Sequence, residues 1–133
     1  MRRLSSFIAY AVLVSAVLAL GGCASAQVSS QKTKRYQQIG LASYYAHKFH
    51  GRATASGEIY DMYKFTAAHP QLPFGTLVKV TNLKNKKSVI LKVNDRGPVS
   101  KKRIIDVSYK AAQELGFVRE GLVKVRLEIV KAN

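Results

Sequence analysis

The chain has 133 residues, with 22 Lys and Arg against 7 Asp and Glu, a net charge of +15 and a single cysteine. That length suits one small domain, one cysteine excludes an internal disulfide, and the charge favours anionic partners. No RNA- or DNA-binding motif accompanies the charge, so a nucleic-acid partner is not expected.

In chain order, Met1-Arg2-Arg3 is a basic start, Leu4 to Leu20 an apolar run, and "LGGC" closes it at residues 20–23. A basic start, a short apolar stretch and a small-residue end make residues 1–22 an export leader, too short and too interrupted for a spanning helix. Export leaves lipid headgroups and cell-wall polymers as the anionic partners. The "LGGC" run resembles the lipobox of bacterial lipoproteins, which implies cleavage before Cys23 and acylation of that residue. Each buried methylene adds roughly 0.8 kcal/mol, and more than one chain makes the anchor stable. Ala24 is not the Asp-type inner-membrane retention signal, so the periplasmic face of the outer membrane is expected. The run "ASAQVSSQKTKRYQQ" (24–38) is polar and aperiodic, and with Cys23 it reads as a flexible tether over 23–38.

The folded part is expected over residues 39–130, enough for one core without disulfides. "IGLASYYA" (39–46) is β-rich. "TLVKVTNL" (76–83) and "KKSVILKVN" (86–94) flank Lys84-Asn85, a hairpin turn. "RIIDVS" (103–108) is a short strand. Ser108 is placed to cap a helix over "YKAAQEL", which Gly116 ends. In "GLVKVRLEIV" (121–130), Val123, Val125, Leu127 and Ile129 alternate with Lys124, Arg126 and Glu128. Residues 49–74 hold Gly51, Gly57, Pro70 and Pro73 and read as loop. Short strands, one helix and long loops predict a mainly β, small closed barrel.

Three side chains stand in or beside those loops: Glu58 after Ser56-Gly57, His69 before Pro70, and Asp95 at the end of a strand in "VNDRGP". Asn-Asp before Gly-Pro is good turn chemistry, so Asp95 is equally a turn former or a catalytic acid. Taken singly, Glu58 reads as a solvated carboxylate and His69 as a structural histidine. His47 and His50 form an H-x-x-H pair without a carboxylate or cysteine to complete a metal set, so no metal or cofactor is expected.

The ordered series "GLASYYA", "GRATASGE", "TAAHPQLPFGT", "VNDRGP" and "RIIDVS" resembles the rare lipoprotein A (RlpA) family over about residues 39–130. The resemblance implies a six-stranded double-psi β-barrel, related to barwin and the expansins, with one short helix. It implies a lytic transglycosylase acting on peptidoglycan glycan strands, with strands free of stem peptides favoured. By residue, it puts catalytic roles on Asp95, Glu58 and His69, and substrate-binding roles on Tyr44, Ser56, Arg96 and Asp106. A monomer is expected. Val99, Ala46 and Pro70-Gln71 depart from the family pattern. Larger members carry a C-terminal SPOR domain; none is expected in a chain that stops at Asn133.

Such an enzyme cleaves the bond between N-acetylmuramic acid and N-acetylglucosamine without water, so it does not strictly need the second carboxylate that hydrolases use. Asp95 is expected to be the acid, its proton retained by burial or by Glu58 as a negative neighbour. Glu58 then takes the C6 proton, and His69 orients a carboxylate. A direct pair with Arg96 would oppose this, so Arg96 is expected to turn away and brace its loop. The rival is an expansin-like barrel that binds glycan without cutting it.

Overall fold

The computed structural model describes residues 35–133. The leader over 1–22, Cys23 and its lipid, and most of the expected tether lie outside the described residues. Among the described residues the elements are β1 (Gln37–Tyr44), a 3-10 turn (His47–Phe49), β2 (Thr66–Ala68), β3 (Leu77–Asn82), β4 (Ser88–Asp95), β5 (Arg103–Val107), α1 (Tyr109–Leu115) and β6 (Val123–Lys131). The first strand therefore begins two residues earlier than the sequence suggests.

The strands close in the order β1-β5-β2-β4-β3-β6. Strands β1 and β5 pair in parallel, as do β2 and β4. The other four pairings are antiparallel. Parallel neighbours cannot be joined by tight hairpins, and neither parallel pair is consecutive in the chain: β2, β3 and β4 come between β1 and β5, and β3 comes between β2 and β4. The result is the six-stranded double-psi barrel implied by the resemblance, with its edges removed by closure.

Inward positions follow the two-residue strand period. Val78 and Val80, Leu91 and Val93, Ile105 and Val107, and Val125 and Leu127 are fully buried, with Leu115 and Phe117 packed against them. Strand β1 runs so close to β5 that a Cβ at Gly40 would lie 2.5 Å from Ile104 Cγ2. Helix α1 is built as expected. Ser108 Oγ accepts from Ala111 N, and Gly116, at a φ of 73°, closes the helix by donating to Ala112 and Gln113 carbonyls.

Two local expectations differ. The β3–β4 connection spans residues 83–87, because Asn82 N donates to the Lys87 carbonyl and Lys86 N to the Asn82 carbonyl. It is therefore wider than a Lys84-Asn85 turn. Strand β2 lies inside the segment that reads as loop. Its three residues, Thr66, Ala67 and Ala68, are all buried, and three residues show no period.

Candidate active site

Strand β2 sets the level of the site. Ala68 pairs with Asp95 of β4 on one side and with Asp106 of β5 on the other. The two aspartates thus stand on the strands either side of β2, one on each flank of Ala68.

Asp95 is held entirely by neutral donors. Its Oδ1 accepts from Ala55 N at 2.9 Å and from Arg96 N at 2.8 Å, and its Oδ2 accepts from the Tyr45 hydroxyl at 2.6 Å. The Tyr45 ring stacks on Tyr60 at 4.4 Å and meets the edge of Phe49 at 6.2 Å. Burial, and then the bond to Asp95, push the Tyr45 phenol far above its ordinary range, so it stays a neutral donor. Because Oδ1 faces two fixed N–H groups, a proton on this carboxyl belongs on Oδ2. The facing hydroxyl can turn there from donor to acceptor. Asp95 is therefore both a turn former, through Arg96 N, and a carboxyl with one oxygen able to carry a proton.

The loop carrying Glu58 is tied to the same strand end. Ser56 N donates to the Asn94 carbonyl at 3.3 Å, and Ser56 Oγ pairs with Thr54 Oγ1 at 2.9 Å and accepts from Glu58 N at 3.3 Å. Gly57 makes the turn with a φ of 89° that other residues avoid. The Glu58 carboxylate binds Lys92 Nζ at 2.8 Å. That bond, with help from the Asn94 side chain, holds Glu58 below the usual carboxylate range. Its charge is thus answered by Lys92, so it is not the bare negative neighbour expected for Asp95.

His69 is 1% exposed, and both its ring nitrogens are taken. Nδ1 accepts from Gln71 N and Leu72 N at 3.1 Å each, which assigns the ring proton to Nε2, facing Gln38 Oε1 at 3.1 Å. Burial, with a smaller contribution from Arg96, keeps the ring below its ordinary pKa and so neutral. The expected bond from His69 to a carboxylate is therefore corrected: the ring folds the 69–72 loop. Its backbone N–H, donating to the Asp95 carbonyl at 3.1 Å, is its link to the site. The Arg96 guanidinium turns away from the Asp95 carboxylate. It donates to the His69 carbonyl at 3.2 Å and the Leu72 carbonyl at 2.8 Å, and lies 4.0 Å over Phe74.

Tyr44 ends β1 and Tyr45 follows it, and their hydroxyls reach opposite sides of the chain, one to Val118 and one to Asp95. Tyr44 packs against Tyr109 and Phe117 and donates to the Val118 carbonyl, so its contacts are with the core. Tyr45 is the one at the carboxyl. Asp106 accepts from Ser43 Oγ and lies 3.5 Å from Arg103 Nη1, which itself donates to Ser43 Oγ at 2.6 Å. Sequence reasoning also missed Lys92, whose place opposite Glu58 depends on strand pairing across β2.

The departures from the family pattern cost little here. Ala46 adopts φ −62° and ψ 147°, which any residue reaches, so no glycine is required. Gln71 contributes its backbone N–H to His69, which its side chain does not affect. Val99 is 98% exposed and floors nothing. His47 packs on Tyr109 and His50 Nδ1 accepts from Met62 N. Among the described residues no group of three or more His, Cys, Asp and Glu is placed to hold a metal. A cavity of about 580 Å³ beside Asn82, Asn85, Phe117 and Leu122 is lined by none of the site residues.

A family model described as "Lytic transglycolase" matches residues 37–127. Endolytic peptidoglycan transglycosylase RlpA of Neisseria meningitidis serogroup A is 58% identical over 93 residues, which are 70% of this chain and 39% of that protein. The protein of that name from Pseudomonas aeruginosa strain UCBPP-PA14 is 53% identical over 95 residues, 71% of this chain and 28% of that one. The chain therefore spans less than two fifths of the length of these relatives. Among solved structures, the Streptomyces papain inhibitor matches with a TM-score of 0.59 at 23% identity, covering 72% of this chain and 96% of that one. The apo expansin of Clavibacter michiganensis matches at 0.58 and 18%, covering 72% and 51%. Identities this low carry the barrel fold alone.

Proposed function

The chain belongs to the rare lipoprotein A (RlpA) family of double-psi β-barrel lytic transglycosylases, and from that premise we propose that it cleaves peptidoglycan glycan strands between N-acetylmuramic acid and N-acetylglucosamine without water. The observation that carries the reading is Asp95. It is a carboxyl at a strand end, oriented by two backbone N–H groups on Oδ1 and one rotatable hydroxyl on Oδ2.

In this reading Asp95 Oδ2 delivers its proton to the glycosidic oxygen as the C1–O4 bond breaks. The muramyl ring passes through an oxocarbenium-like state. Its own C6 hydroxyl then bonds to C1, leaving a 1,6-anhydro end, and the O6 proton passes to a carboxylate. Glu58, held ionised by Lys92, is that acceptor. Tyr45 keeps Asp95 in line, and His69 and Arg96 fix the loop beside it. Stem-peptide-free strands are the favoured substrate, bound by a single copy of the chain. The same reading anchors the domain at the periplasmic face of the outer membrane through a lipid on Cys23. Support is the "LGGC" run, and loss of radiolabelled palmitate in Cys23→Ser tests it.

Incubating the purified protein with isolated glycan strands and weighing the products by mass spectrometry tests the activity. Anhydro-ended fragments that disappear in Asp95→Asn are expected. Reducing ends would mean hydrolysis, and uncut strands that co-sediment with the protein would mean a glycan-binding module.

A further inference from the structure

The cations around the candidate site are mostly committed. Lys92 pairs with Glu58, Arg103 with Asp106, and Arg96 with two carbonyls and the Phe74 ring. Lys48 and Arg52 differ. Neither is in an ion pair among the described residues, yet both converge on one ring: Lys48 Nζ lies 5.4 Å from the Phe49 centroid and Arg52 Cζ 5.7 Å. Each cation is within cation–π reach of this exposed ring, a weak attraction that leaves both charges available to an arriving anion.

The ring is built into the site. Phe49 ends the 3-10 turn and meets the edge of Tyr45, whose hydroxyl is on Asp95. Arg52 N donates to the Phe49 carbonyl, Gly51 N to the Tyr60 carbonyl, and Tyr60 N to the Arg52 carbonyl. His47 on Tyr109 and His50 on Met62 N pin the turn from both ends. The paired cations are thus held two ring contacts from the carboxyl that does the chemistry.

A glycan strand carries one kind of anion of its own, the lactyl carboxylate on N-acetylmuramic acid. It is free only where no stem peptide is attached; coupled to a peptide, it is a neutral amide. We propose that Lys48 and Arg52, gathered on Phe49, form a subsite for this free lactyl carboxylate. Resting on the peptidoglycan reading above, this assigns the selection of peptide-free strands to two named side chains of the barrel.

The test measures binding without cleavage. In the full chain carrying Asp95→Asn, the Kd is compared for peptide-free strands and for the same strands with their carboxylates converted to methylamides. Unmodified strands are expected to bind about tenfold tighter at low salt. Adding Lys48→Ala and Arg52→Ala should bring them to the methylamide level and change methylamide binding less than about twofold. The charge-conserving pair Lys48→Arg and Arg52→Lys, which guards against misfolding, should keep most of the preference. Equal affinity of the parent for both strands overturns the proposal, as does an equal loss on both in the alanine variant. Failure of the catalytic reading shows separately, as uncut strands when Asp95 is intact.

Discussion

Asp95 and Asp106 flank the same alanine and are surrounded by opposite chemistry. Asp106 faces a guanidinium and a serine hydroxyl that the guanidinium also binds, so every partner favours a fixed carboxylate. Among the described residues Asp95 has no cation on its oxygens; its three donors are neutral, and one is a hydroxyl that can reverse. A carboxylate paired with a cation is an anchor. One held in place by neutral dipoles keeps its position without a counter-ion.

That contrast is broken or upheld most directly by the same substitution at both positions. Asp95→Asn keeps an oxygen for Ala55 N and Arg96 N, and Tyr45 can accept from the new amide. The fold should survive, while kcat/KM for strand cleavage falls about 10³-fold, within the 10²–10⁴ range of general acid catalysis. Asp106→Asn leaves Arg103 without its anion and should cost about 1–3 kcal/mol of stability. Its folded fraction should cleave within a few-fold of the parent. Paired urea titrations and initial rates separate the two outcomes, and a stable but inactive Asp106→Asn would erase the distinction.

Tyr45→Phe sharpens it. The ring still stacks on Tyr60, so the loss is one hydrogen bond to a carboxylate, about 1.5–3 kcal/mol of stability. Removing the group that aligns Oδ2 should lower kcat about 10- to 100-fold and leave KM nearly unchanged. A change confined to KM would make Tyr45 a sugar-binding residue instead. Glu58→Gln removes the proposed proton acceptor and should lower kcat/KM about 10²-fold, the low end of the range for general base catalysis. Thermal stability should not move, because the Lys92–Glu58 pair is exposed and such pairs contribute about 0–1 kcal/mol.

What could be read from the chain follows from where its signals are local. The alternation of "GLVKVRLEIV" is a property of ten consecutive residues, and β6 stands where it predicts. The Ser108 cap and the Gly116 stop are equally local. Strand β2 was hidden because three residues carry no period, and its burial comes from β4 and β5, distant in sequence. Alternation required that Tyr44 and Tyr45 face opposite ways, but not which way, since that depends on Phe117 and Asp95 closing from opposite sides. Lys92 is one of 22 basic residues, and nothing near it in sequence singles it out. The motif order indicated the family, while the partners of each motif residue emerged only with the closed barrel.

His69 provides the subtlest test of neutral against charged anchoring, because here the neutral form is what the fold binds. Its Nδ1 must stay unprotonated to accept from Gln71 N and Leu72 N, and burial keeps the folded pKa below the ordinary value. Above the unfolded value of about 6.5, both states are neutral and the contribution is complete. As pH falls below that value the unfolded chain takes the proton first. Stability is then lost through the window down to the folded pKa, at no more than about 1.4 kcal/mol per pH unit for one proton. His69→Asn retains an acceptor for the two N–H groups without a titrating ring. It should therefore be less stable than the parent at pH 7.5, by about 1–2 kcal/mol for the lost Gln38 contact and ring volume, yet approach it as pH falls below about 6.5. Urea midpoints across that range measure the gap. A constant gap would mean that the imidazole titrates alike in both states, and the loop beside Asp95 would then owe its shape to Arg96.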